Sequence, residues 1–102
     1  MVELNEIIHQ PMRLKIMSAL NGLPAGEQIE FVRLVQVIGT TEGNLGAHIN
    51  TLEKASYIEV EKDFVGKKPR TRVRLSNDGR QAFHNYLDFL RGILAAHPAS
   101  DA

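Results

Sequence analysis

The stretch from Phe31 to Leu75 constrains this chain more than any other. Two apolar-striped segments meet across a glycine, and a strand, a basic turn and a second strand follow at once. In the first segment Phe31, Leu34, Val35 and Ile38 fall at i, i+3, i+4 and i+7, one face of a helix that Gly39 ends. The second helix is expected from about Glu42 to Ala55 (EGNLGAHINTLEKA), with Thr41 placed to accept a backbone N–H as its N-cap. Leu45, Ile49 and Leu52 share its inner face. Two helices joined by about three residues have the layout of a helix-turn-helix, although spacing alone is a weak signal.

Tyr57 to Phe64 reads as a strand with Ile58 and Val60 inward and Glu59 and Glu61 outward. Arg70 to Leu75 returns with Val73 and Leu75 inward and Arg72 and Arg74 outward. Gly66 and Pro69 mark the connection, which reads as looser than a two-residue turn. The chain has zero net charge, yet six of its twelve Lys and Arg lie between Lys62 and Arg74 with Asp63 as the sole acid, a local charge of +5. Glu59 and Glu61 facing Arg72 and Arg74 across the strands partly neutralise that charge. Lys67, Lys68 and Arg70 then form a free positive tip, suited to phosphate contact. Phe64 stands close to that tip and is expected to anchor the base of the hairpin, with stacking on a nucleobase as the alternative.

The remaining segments read as packing elements. Leu4, Ile7 and Ile8 stand at helical spacing in a short opening segment. Pro11 suits the first turn of the helix PMRLKIMSALNG, whose Leu14, Met17 and Leu20 share a face and which stops at Gly22. LPAGEQ is a loop, and Ile29 adds one short strand beside the hairpin. Ser76 caps a last helix, NDGRQAFHNYLDFLRGILAA, with Asp78 at its positive end. Its stripe of Phe83, Tyr86, Leu87, Leu90, Ile93 and Leu94 is wider than a small domain covers. A symmetric dimer through this helix, joined by Leu4 and Ile8 of the first segment, is expected to bury the rest. Residues 97–102 read as a frayed tail.

The outer face of the second helix carries the chemistry. Asn44 and Thr51 lie on one flank, Gly43, Ala47, Asn50 and Lys54 further out, and His48 near the boundary. This surface is small and polar, as a helix inside a major groove about 12 Å wide requires. Asn can pair with an adenine edge, and a Thr or Ala methyl can touch a thymine methyl. Gly43 and Gly46 each lower helix stability by about 1 kcal/mol relative to Ala, and close approach to another body explains both. Other chemistries find little support. With no cysteine there is no disulfide or thiolate metal site. His9, His48, His84 and His97 lack metal-ligand spacing. No acid–base pair or phosphate-cradling glycine loop is evident, so neither an enzyme nor a cofactor is expected.

The chain resembles the small winged helix-turn-helix transcriptional regulators related to the MarR and ArsR groups. The resemblance rests on TEGNLGAHINTLEKASYIEVEK, FVGKKPRTRVRLSNDGR and, upstream, IIHQPMRLKIMSAL, and covers roughly Leu4 to Leu90. It implies an α+β, mainly α, winged helix-turn-helix with a two- to three-stranded antiparallel wing and a long C-terminal helix. One domain over 1–96 would hold a helix-turn-helix at 31–55, the wing at 57–75 and a dimerisation helix at 77–96. By resemblance Asn44, Ala47, His48 and Thr51 face bases, while Thr41, Lys67, Lys68, Arg70 and Arg72 meet the backbone. Thr40 and Gly46 stand where relatives often carry leucine and serine. The expected function is sequence-specific binding of double-stranded DNA as a homodimer on an inverted repeat. A winged helix used purely for protein–protein interaction is the alternative. With no membrane segment and no secretory signal in MVELNEIIHQ, a cytoplasmic location is expected.

Overall fold

In the computed structural model, which describes residues 4–96, three of the four helices start where a side chain or proline satisfies free backbone groups. Helix α1 (Pro11–Asn21) opens with Pro11 at its first turn, and the Gln10 side chain accepts the Arg13 N–H at 2.8 Å. A two-residue strand β1 (Ile29–Glu30) leads directly into α2 (Phe31–Ile38). Gly39 closes α2 at φ 76°, where a side chain would be strained, and its N–H returns to the Val35 carbonyl. Thr41 caps α3 (Glu42–Lys54) as its sequence indicates, accepting the Asn44 N–H at 3.2 Å. Strands β2 (Ile58–Val65) and β3 (Lys68–Leu75) form the hairpin, and α4 (Asn77–Ala96) ends the described chain. His97 and the expected tail fall outside those residues.

The sheet has the order β1-β3-β2, all antiparallel, with Ile29 opposite Val73. The short strand at Ile29 is therefore real. Ile8, Ile16, Met17, Leu20, Leu34, Leu45, Leu52 and Val73 are fully enclosed, so three helices, the opening segment and the sheet share one core. Each such side chain contributes about 1.5–3 kcal/mol through its burial. The four helices and three-stranded sheet are the expected winged helix-turn-helix.

Three local expectations need correction. The opening segment is not helical: residues 6–10 form turns and bends, and Asn5 Oδ1 accepts the N–H groups of Ile7 and Ile8. A single asparagine side chain thus replaces the helical ladder that the apolar spacing suggested. The hairpin connection is a two-residue turn, since Val65 pairs with Lys68 around Gly66 and Lys67. Gly66, at φ 63°, supplies the left-handed conformation such a turn demands. Pro69, read as part of the loop, sits inside β3 opposite Phe64.

Candidate nucleic-acid interface

The outward surface of α3 is open. Gly43, Asn44, Ala47 and Asn50 are exposed, and His48 and Thr51 are half-buried. A methyl group built on Gly43 meets nothing within 4 Å, and one on Gly46 meets only Phe31 Cζ at 4.0 Å. The protein's own packing therefore requires neither glycine. Asn44 donates from Nδ2 to Thr40 Oγ at 2.8 Å, so its amide is held at the start of the helix. The Thr51 hydroxyl donates to the Ala47 carbonyl at 3.2 Å, which leaves its methyl as the apolar end.

His48 is accompanied by a residue with no local sequence signal. Arg13 Nη1 lies 3.2 Å from His48 Nδ1, and Arg13 Nε donates to the Ile7 carbonyl. A guanidinium only donates, so His48 Nδ1 accepts and the ring presents Nε2–H on its other side. Arg13 joins α3 by a contact across 35 residues of sequence, which no local pattern reveals.

The hairpin has two dissimilar faces. Glu59 stands opposite Arg74, Glu61 opposite Arg72 and Asp63 opposite Arg70. Ion pairs close all three rungs: Arg74 to Glu59 at 2.6 Å, Arg72 to both Glu61 and Asp63, and Arg70 to Asp63 at 2.6 Å. The neutralisation expected for Arg72 and Arg74 is present, but Arg70, expected to be free, is held by a two-point bond to Asp63. The cause is register: the pairing that sets Glu61 opposite Arg72 also brings Asp63 directly across from Arg70. The Arg70 hydrogen bonds hold the Asp63 carboxyl below its usual pKa, so the rung stays charged through neutral pH and is lost only in acid.

Pleating puts this ladder on one face and Ile58, Val60 and Lys62 on the other. A groove of about 480 Å³ runs between α3 and that second face, lined by Gly46, Asn50 and Glu53 of α3 and by Val60, Lys62 and Thr71 of the sheet. Lys62 therefore stands beside the outward surface of α3. Its parity with Ile58 and Val60 was the signal that could have found it. Lys62, Lys67 and Lys68 form no ion pair with any described residue, so the unneutralised cations of the hairpin are its three lysines. Phe64 does not anchor the base of the hairpin. It lies near the tip and is 69% exposed.

The residues expected at a dimer interface divide. Ile8, Phe83 and Tyr86 are buried in the protomer's own core and have almost no surface left to offer a partner. Leu4, Ile93 and Leu94 are exposed, Leu94 by 69%. Leu87 and Leu90 line an apolar groove of about 640 Å³ with Leu14, Ala19, Val37 and Ile38. The opening segment contributes a further link: His9 Nδ1 lies 2.7 Å from the Tyr86 hydroxyl of α4.

The sequence family of winged helix DNA-binding domains matches residues 12–94. The chain belongs to that family. An uncharacterised protein of Methanocaldococcus jannaschii is 34% identical over 82 residues, 80% of this chain and 86% of that one. Among solved structures, the transcriptional regulator homologue of Pyrococcus horikoshii OT3 superposes with a TM-score of 0.82 at 26% identity, covering 93% of this chain and 91% of that one. A homodimeric winged helix-turn-helix DNA-binding domain of Mycobacterium bovis, described as a possible ArsR-family regulator, matches with a TM-score of 0.70 over 93% of this chain and 82% of that one. At 14% identity that second likeness speaks to the fold alone. In this winged helix, α2 and α3 form the helix-turn-helix and the β2–β3 hairpin is the wing.

Proposed function

We propose that this winged helix is a cytoplasmic, homodimeric regulator of transcription that binds a specific duplex sequence through α3 and the wing. The observation that carries the reading is the unobstructed small-residue face of α3 beside a hairpin whose unpaired cations are all lysines. Asn44, Ala47, His48 and Thr51 face the bases in the major groove. Thr41, Lys62, Lys67 and Lys68 meet phosphates, with Arg70 and Arg72 lesser contributors because acids already engage them. The non-enzymatic character of the domain follows from this role.

A duplex pool of random sequence tests the proposal. Binding at low salt that weakens steeply as salt rises is expected, because several phosphates are neutralised. Sequencing of retained duplexes should return an inverted repeat whose half-sites lie about 34 Å apart. No retention at low salt overturns the reading.

The glycines supply a sharper test. Gly43→Ala with Gly46→Ala should raise stability by about 1 kcal/mol per site, because helix propensity improves and nothing in the fold is crowded. The same double change should weaken DNA binding, since two methyl groups then stand between α3 and the groove wall. Stability that rises with affinity unchanged would show that no partner approaches there.

Dimerisation is proposed through the end of α4. Leu94→Glu should convert the dimer to a folded monomer in sedimentation, because Leu94 makes little use of its own core. A dimer that survives this change places the interface elsewhere.

A further inference from the structure

Phe64 has no role in the fold or in a purely ionic grip on phosphate. It is 69% exposed, although Ile58 on the same strand face is 2% exposed. Going outward from the core, one face of the wing presents Val60 and Val73, then Lys62 and Thr71, then Phe64 and Pro69. This is the face that lines the groove with Gly46 and Asn50 of α3. Phe64 is thus one strand repeat beyond Lys62, on the side from which α3 reads DNA, and Lys67 follows in the turn. Val65 is also exposed but has opposite parity, and it lines a separate groove along the β3 edge with Val32 and Lys68.

Resting on the DNA-binding reading, we propose that Phe64, backed across the strands by Pro69, is an apolar wedge. It enters the minor groove beside the major groove that α3 occupies, partly unstacks one base step and bends the duplex. The chemistry is complementary. Apart from the thymine methyls of the major groove, a duplex offers its extended apolar surface between the stacked bases, and the narrow minor groove admits a flat ring at the end of a slim hairpin. The lysines before and after Phe64 hold the phosphates of the two strands on either side of the insertion. Two such wings in a dimer would favour sites with flexible pyrimidine–purine steps flanking the half-sites, at positions α3 never touches.

The test uses the full-length protein and a duplex that it selects from a random pool, labelled at both ends for energy transfer. The wild type should shorten the end-to-end distance on binding. Phe64→Ala should lose about tenfold in affinity, the scale of one base–aromatic contact, and most of the bend. Its dependence on salt should match the wild type, because no charge has changed. Phe64→Leu should retain part of both effects. Since Phe64 is exposed, the variants should melt as the wild type does. Wild-type binding without a bend, or a Phe64→Ala variant with unchanged affinity and bend, overturns the wedge while leaving DNA binding intact. A Phe64→Ala variant whose dimer dissociates more readily without DNA also overturns it, because the ring would then serve a second copy. If the wild type retains no duplex, the DNA-binding reading fails first.

Discussion

The double variant Lys67→Glu/Lys68→Glu is expected to lose duplex binding by at least about a hundredfold at 0.1 M salt. Net charge is zero, so no overall charge draws the protein to a polyanion. Attraction must come from local, unpaired cations, and at the distal wing those are Lys67 and Lys68. Reversal replaces two attractions by two repulsions in each protomer. The slope of log affinity against log salt should fall by about one per lysine, roughly two per wing. Both side chains are exposed and free of ion pairs with described residues, so the melting temperature should move little. Arg70→Ala is the informative contrast. Its charge is already taken by Asp63, so its loss should weaken binding far less than the lysine reversal. An electrophoretic or fluorescence titration across salt concentrations checks all of this. If Arg70→Ala proves the damaging change and the lysine reversal is harmless, the wing does not grip DNA through its tip lysines. If neither matters while binding to a protein partner persists, the domain is an interaction module.

How much of this could be read from the chain differs from one element to the next. The helix-turn-helix was legible because its signals are local and agree: an apolar stripe, Gly39 at a left-handed position, and Thr41 as a cap. The end of α3 fell within a residue of its expected place. The Glu59–Arg74 and Glu61–Arg72 pairs followed from alternation alone. The wing tip was misread for one reason. Pro69 is an ordinary loop marker, but a strand that pairs fully on one side only can accommodate it, and β1 pairs with β3 only at Arg72 and Val73. Counting Pro69 as loop shortened the strand and made a two-residue turn look implausible. The anchoring role expected of Phe64 also failed, because its exposure depends on how far the hairpin extends beyond the core. The dimer residues failed differently. A periodic apolar stripe states which side of α4 is apolar, not which part of that side its own core consumes. Phe83 and Tyr86 are covered because α4 packs on α1 and the opening segment, whereas Ile93 and Leu94 lie beyond them. The Cα radius of gyration, 15.6 Å against about 13 Å for a compact chain of this length, reflects such extension.

Gly79→Ala should unfold the protein or lower its stability by at least about 3 kcal/mol, although alanine is the better helix former. A methyl at Gly79 would sit 1.9 Å from the Tyr57 carbonyl oxygen and 2.7 Å from its carbon. No side-chain rotation relieves a clash with backbone. Moving that carbonyl also releases other bonds, because it accepts the Ser76 N–H at 3.0 Å. Ser76 in turn donates its hydroxyl to the Ser56 carbonyl at 2.7 Å and caps α4 by accepting the Gly79 N–H at 2.9 Å. The corner after α3, the base of the wing and the start of α4 therefore meet at one glycine. Ser56 is held there at φ 65°, so the α3–β2 corner has little freedom to shift. A loss of 3 kcal/mol corresponds to a fall of roughly 15 °C or more in melting temperature for a chain of about 100 residues. Gly92→Ala in the same helix provides the opposite sign, since nothing lies within 4 Å of its methyl position and stability should rise by up to about 1 kcal/mol. Circular dichroism melts of the two variants decide the matter, and a Gly79→Ala curve within a degree or two of wild type would refute the steric account. Because this corner sets the angle between α3 and the wing, any Gly79→Ala protein that remains folded should also bind DNA less tightly. Helix and hairpin would no longer reach adjacent grooves at once.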